Sequence, residues 1–255
     1  MDLDPYRAFR SLFASEAVRS AWAKSYGEYF WDASEPPQSQ ATVDDIKFVT
    51  QRLCPSSETK LAYLGCGGGC VGRYFASSFG AVVEGIDADP LAVRMAEELA
   101  VTSGAEHRLH YKIGDVSKTG WGDSSFDGAF SMDVLLFVAD KRPALHEIAR
   151  ILKPGGRFVG TSWELRAESA ALYAPAFYDY PGAFKDAGFE VEIYEETRNW
   201  RRLLTEAISA VVASEDAIRR EVEGPAAKRL LRWARTRPGE LDDSRRVCFS
   251  VQRQV

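Results

Sequence analysis

Apolar positions along the chain fall into two regimes. In the first thirty residues Tyr6, Phe9 and Phe13, then Val18, Trp22, Tyr26 and Tyr29, recur at steps of three and four. That is the spacing of one helix face, and it predicts a helix over residues 5–31. Residues 32–40, with Pro36-Pro37 among Ser and Gln, break the pattern as a loop, and Val43 to Leu53 resumes it. From Lys60 short apolar runs alternate with helical stretches, the signature of βαβ units. Strands are expected at 61–64, 81–86, 108–113, 128–132, 157–162, 190–194 and 247–252. Between them come a helix running through Ser78, one opened by the N-cap pair Asp89-Pro90, and one whose face carries Leu145, Ile148, Ala149 and Leu152. Residues 182–188 read as a short helix stopped at Gly188. Two long helical patterns, Trp200 to Val212 and Ile218 to Thr236, stand before the last strand, so a helical insertion of about fifty residues separates the sixth and seventh strands. One domain is expected, with a helical cap at 1–59, a core at 60–162 and a remainder at 163–255 holding the insertion at 198–240.

Composition narrows the class. A chain of 255 residues with 45% hydrophobic positions fills one substantial core. Its net charge of −5 argues against a nucleic-acid partner, because duplex binding draws on Lys and Arg to neutralise phosphates. Lys228, Arg229, Arg232, Arg235 and Arg237 have the spacing of a single solvated helix face. The first thirty residues are studded with charge and lack an apolar leader, and no run is long enough to cross a bilayer, so a cytoplasmic protein with no membrane partner is the expectation. Cys54, Cys66, Cys70 and Cys248 have neither zinc spacing nor a disulfide pattern, and no metal is expected.

The chemistry gathers at strand ends. Gly65-Cys66-Gly67-Gly68-Gly69 lies between an apolar strand and a helix, where glycine lets the backbone turn tightly and approach a ligand. Such a loop alone also suits a dinucleotide-binding dehydrogenase. Asp87 closes the second strand, 22 residues after Gly65, placed to accept from both hydroxyls of an adenosine ribose. Gly114-Asp115-Val116 follows the third strand, where the carboxylate suits an adenine amino group and the next backbone NH a ring nitrogen.

Together with Phe126-Asp127 and Leu152-Lys153-Pro154-Gly155-Gly156, these residues resemble the class I S-adenosylmethionine-dependent methyltransferases over about Lys60 to Phe158. The resemblance implies a Rossmann-like, doubly wound, seven-stranded, mostly parallel α/β sheet with its last strand antiparallel, and a site over the carboxyl ends of the strands. It implies S-adenosylmethionine as cofactor, leaving S-adenosylhomocysteine, held by Tyr26, Trp31, Gly65, Cys66, Gly67, Gly69, Asp87, Ala88, Asp115, Val116, Ser131 and Met132, with Trp121 near the cofactor. Two positions depart from the family. Tyr63 stands where an acid usually helps hold the methionine amino group, and Leu136-Phe137 replaces a segment that often carries a histidine. His107, His110 and His146 are not placed as a base, and Asp133 is the best-placed ionisable side chain, as acid, base or helix cap. The nucleic-acid amino methyltransferase motif is absent after strand four. An aromatic stretch from Tyr26 to Trp31 and a segment from Glu190 to Trp200 look like those that cover the cofactor and lead into the helical lid of small-molecule methyltransferases. A small-molecule acceptor, such as a secondary metabolite, is therefore expected. A protein or RNA methyltransferase and a cofactor-binding member that does not methylate remain the alternatives.

Overall fold

A computed structural model of the chain describes residues 15–26, 41–169, 174–222 and 224–254. Seven strands form one sheet: β1 (Lys60–Leu64), β2 (Val82–Asp87), β3 (Leu109–Ile113), β4 (Phe126–Met132), β5 (Leu152–Leu165), β6 (Phe189–Glu196) and β7 (Ser244–Arg253). Their order is β3-β2-β1-β4-β5-β7-β6, and β7 runs antiparallel to both neighbours while β1 to β5 pair in parallel. The order reverses between β1 and β4, and in open sheets of this kind ligands bind beyond the carboxyl ends of the strands at that switch.

Helices cover both faces. α1 (Glu16–Tyr26) and α2 (Val43–Leu53) precede the sheet; α3 (Cys70–Phe79), α4 (Pro90–Thr102), α5 (Lys141–Ile151) and α6 (Tyr180–Asp186) connect its strands. Between β6 and β7 come α7 (Trp200–Ala213), α8 (Glu215–Glu221) and α9 (Gly224–Thr236). Local signals account for the boundaries. Thr42 and Asp45 form a reciprocal capping box on α2, Asp89 caps α4 with Pro90 at its start, and Gly188 takes φ +85 just past α6. Alternation sorts the strands' side chains: Leu61, Tyr63 and Phe130 pack under α2 and α3, whereas Ala62, Leu64 and Ala129 pack under α5. A third cluster joins α1 to α7, α8 and α9 through Trp22, Tyr26, Trp163, Trp200, Leu204 and Leu231.

Three expectations change. Residues 218–236 are not one helix but two, because Gly224-Pro225 opens a new one: proline lacks the NH that a helix interior needs and sits well in a first turn. β5 is much longer than 157–162, starting at Leu152, since Lys153-Pro154-Gly155-Gly156 is absorbed as a register shift against β4. Arg237 is not on a solvated face: α9 ends at Thr236, and Arg237 turns inward to 1% exposure while Lys228, Arg232 and Arg235 stay exposed. Of the helix expected over 5–31, residues 16–26 are helical and the rest lies outside the described residues.

Candidate functional site

The glycine loop is shaped by its neighbours. Gly65 has φ +69, and a Cβ there would stand 2.4 Å from a Val134 methyl, so the segment after β4 rests directly on the loop. Gly69 has φ +86, and a Cβ would stand 2.8 Å from the hydroxyl oxygen of Tyr111, which donates to the Gly69 carbonyl at 3.2 Å. The NH groups of Gly65 and Cys66 both donate to the Ile86 carbonyl, at 2.8 and 3.0 Å. Neither glycine tolerates a side chain, whatever the loop binds.

Asp87 ties three loops together. Its Oδ2 accepts from the Gly67 NH and its Oδ1 from the Asp89 NH, both at 2.9 Å, while its carbonyl accepts from the Gly114 NH at 2.9 Å. Two backbone donors fix the carboxylate and leave each oxygen a lone pair for a ligand hydroxyl. Burial pushes its carboxyl above the usual range, against the opposing pull of the Asp89, Gly67 and, more weakly, Ala88 NH groups. Asp115, next to Gly114, is exposed, and its Oδ1 accepts from the Ser117 NH and hydroxyl at 2.7 and 2.8 Å. Val116 is buried beside it, and Ala88 is exposed beside Asp87. Ser131 and Met132 are buried at the end of β4, and the Ser131 hydroxyl has no hydrogen-bond partner among the described residues. Buried Cys66 carries a thiol that burial pushes well up, so it fills space in the loop instead of reacting.

The residues expected from strand ends one to four are thus brought to one edge of the sheet. Tyr26 on α1 is buried at 3% and stacked on Trp22 at 6.3 Å between ring centroids. Trp31 lies outside the described residues. Trp121 is committed to structure, with its ring against Phe126 at 4.9 Å and the Lys112 ammonium 4.5 Å above it. Tyr63, in the place of the usual acid, is 6% exposed and stacks on Phe130 at 4.3 Å. Its phenol is held far above its ordinary range by burial. All three histidines are exposed.

Asp133 caps no helix and stands free as no base. It sits at φ +56, a left-handed conformation costly for a non-glycine, and grips Arg246. Arg246 donates to Asp133 at 2.9 and 3.1 Å, to Asp45 at 3.0 Å and to the Thr161 hydroxyl at 3.2 Å. All three charged groups are under 9% exposed. This cluster, joining α2, the end of β4 and β7, was not anticipated from the sequence. Its one legible trace is the capping box of Thr42 and Asp45, which holds the second carboxylate in place. Tyr26 lies within the field of all three charges, and burial, the dominant influence, keeps its phenol protonated.

The parts define a class. A parallel sheet with a switch point, a left-handed glycine loop, an acid fixed at the end of β2 and an orphaned hydroxyl at the end of β4 form a nucleoside-cofactor domain. Residues 62–160 match the family described as "Methyltransferase domain", and this segment is a class I S-adenosylmethionine-dependent methyltransferase domain. The chain is similar to the O-methyltransferase cnsE of Penicillium expansum, 30% identical over 132 residues, which cover 51% of this chain and 48% of that protein. The chain spans about half the length of the first curated relatives it matches. Among solved structures, it superimposes on the [4+2]-cyclase SpnF with TM-score 0.76, 22% identity and coverage of 94% of this chain and 93% of that one. It also superimposes on phosphoethanolamine N-methyltransferase 2 of Haemonchus contortus in complex with S-adenosyl-L-methionine, with TM-score 0.72, 20% identity and coverage of 93% and 57%. These structural likenesses establish the fold.

Proposed function

We propose that the whole chain is an S-adenosylmethionine-dependent methyltransferase acting on a small-molecule acceptor. The observation that carries it is Asp87, held by two backbone NH groups beside the Gly67 turn with lone pairs left for a ribose. The orphaned Ser131 hydroxyl fits the same group, since a buried polar atom without a partner is costly unless a ligand meets it. When bound, the cofactor supplies an electrophilic methyl group on a sulfonium. The protein's part is to hold and desolvate. Gly65, Gly67 and Gly69 offer backbone without side chains, with Cys66 keeping its thiol buried between them; Asp87 and Ala88 would hold the ribose, Asp115 and Val116 the adenine, and Ser131 and Met132 would close the floor. Tyr26 and Trp31 belong to an aromatic cover, and 1–59 and 198–240 form the helical cap and lid over the core at 60–162.

Displacement at a sulfonium needs orientation and exclusion of water more than acid–base help. Among the described residues no histidine faces the site, and Asp133 is engaged by Arg246, so the acceptor's own ionisation sets the rate. The likeness to a cyclase keeps open a second reading, in which the cofactor binds without turning over; the absent base favours it. One experiment separates the readings. Calorimetry should show binding of S-adenosylmethionine and S-adenosylhomocysteine but not NAD. Incubation of the methyl-labelled cofactor with metabolite extract, followed by mass spectrometry, should show label in a small molecule. NAD binding in place of the adenosyl cofactor would refute the reading.

A further inference from the structure

The residue that follows β4 is held in a conformation it would not keep unaided. Asp133 sits at φ +56, with its NH donating to the Thr161 carbonyl on β5 at 3.0 Å. Left-handed backbone persists outside glycine where the surroundings over-determine it, and such positions gather at functional sites. Here the surroundings are one buried guanidinium and the groups that hold it. Arg246, on β7, reaches the Asp133 carboxylate through Nε at 3.1 Å and Nη2 at 2.9 Å, and its Nη2 also donates to the Thr161 hydroxyl at 3.2 Å. Its Nη1 donates to Asp45 at 3.0 Å, and Asp45 in turn accepts from the Thr42 NH and hydroxyl at 2.8 and 3.0 Å. With Nε, Nη1 and Nη2 all engaged, the planar fork fixes the direction of the Asp133 carboxylate as well as balancing its charge.

Two segments hang on this pair. On one side is the glycine loop. Val134 is the next residue in the chain, and a Cβ on Gly65 would meet both of its methyls, at 2.4 and 2.5 Å. The direction in which Asp133 sends the backbone therefore decides where Val134 rests, and with it the room in which Gly65 turns. The NH groups of Gly65 and Cys66, bonded to Ile86, and that of Gly67, bonded to Asp87, follow directly. On the other side are the helices between β6 and β7. The Arg246 carbonyl accepts from the Thr197 NH at 2.9 Å and from its hydroxyl at 3.4 Å, and Thr197 stands three residues before α7. Arg246 thus joins the root of the α7–α9 segment, through its backbone, to the turn that supports the glycine loop, through its side chain.

We propose that Asp133 and Arg246 are positioning residues for the adenosyl cofactor: their ion pair holds Val134 against Gly65 and ties the glycine loop to the root of the α7–α9 segment. Both act through Val134, and the inference rests on the reading of the Gly65–Gly69 loop as the cofactor's seat. The test is hydrogen-exchange mass spectrometry of the full chain with and without S-adenosylhomocysteine, beside calorimetry. Asp133→Asn keeps the size of the side chain and a residue at home at positive φ, but removes the charge that Arg246 grips. Affinity for S-adenosylhomocysteine should fall roughly tenfold, within the range of coupling between linked sites. Exchange should quicken in peptides covering 65–69, while α5, which bears none of these contacts, keeps its native rate. In the native protein S-adenosylhomocysteine should slow exchange at 65–69 and at 197–203 alike; in saturated Asp133→Asn the slowing should survive only at 65–69. Val134→Ala, alone and combined with Asp133→Asn, should weaken binding well short of additively, because both changes act through one contact. Native affinity with native exchange at 65–69 in Asp133→Asn overturns the proposal, as does exchange that quickens evenly through the chain, the mark of a merely structural pair. Where Asp133→Asn does not fold, the native protein decides: no slowing at 197–203 on binding overturns the link. Failure of the native protein to bind S-adenosylhomocysteine would instead sink the reading of the loop, and exchange at 65–69 in ligand-free Asp133→Asn would still decide whether the pair positions it.

Discussion

At the scale of single residues, Asp87 carries the most weight. Replacing it with Ala removes charge-assisted hydrogen bonds to a ribose, each worth about 1.5–3 kcal/mol, and S-adenosylhomocysteine affinity should fall at least tenfold in calorimetry. Because burial raises this carboxyl, affinity of the native protein should begin to fall with acidification above the ordinary carboxylate range, as the charged acceptor form is lost. Asp87→Asn should flatten that dependence; an unchanged pH profile would place the ribose elsewhere. Tyr63 makes the opposite case. Its ring stacks on Phe130 within a core cluster that also holds Phe75 and Val71, so the missing acid has become part of the packing. Restoring the acid by Tyr63→Glu should bury an unpaired charge and lower stability by several kcal/mol in urea unfolding without tightening cofactor binding. Tighter binding would show that position 63 faces the cofactor after all.

At the scale of elements, what the sequence disclosed and what it hid have one cause: local signals are written locally. The glycine loop, the Asp89-Pro90 start and Gly188 each announce a backbone conformation that few other residues adopt, and each was legible. The same holds for Asp87 and Asp115, which stand at fixed offsets from strand ends. The partners of Asp133 were not legible, because Asp45 and Arg246 are separated from it by long stretches of chain and only the sheet order brings them together. Arg237 was misread for a related reason: the basic spacing runs smoothly through a helix end, and the inward turn follows from packing on Trp163. Two variants test these non-local contacts. Arg246→Gln leaves two buried carboxylates sharing a site with no cation, and should cost about 3–5 kcal/mol in urea unfolding. Gly160→Ala would put a Cβ 2.0 Å from the Ser131 carbonyl oxygen, which is backbone and cannot yield cheaply. It should separate β4 from β5 beside the site and cost several kcal/mol, with weaker cofactor binding. Near-native stability in either variant would contradict the packing described.

At the scale of the whole molecule, two carboxylates link elements distant in sequence and make the fold sensitive to acid. Glu192 on β6 accepts from Arg157 on β5, Arg52 on α2 and Ser250 on β7, and the Arg157 bonds outweigh burial to hold it down at about 2. Glu147 on α5 accepts from Arg150 and from the Thr119 NH and hydroxyl, and is likewise held at about 2, chiefly by Arg150. In the unfolded chain both carboxyls return to about 4.3. Their folded values are depressed, so the stability they contribute is complete above the unfolded value and is lost as pH falls toward 2. The shifts alone would correspond to about 3 kcal/mol each, but the arginines are 29–37% exposed, and solvent screening brings the expectation to about 1 kcal/mol apiece. Urea unfolding followed from pH 6 to pH 2.5 should therefore show stability dropping through pH 4, and Glu192→Gln should remove part of that slope while lowering stability at pH 6. The double variant with Glu147→Gln should remove more of it, additively, because the two carboxylates share no partner. A slope unchanged in both variants would mean that the sheet edge and the α5 loop are held by packing alone, and that acid sensitivity arises in other carboxylates.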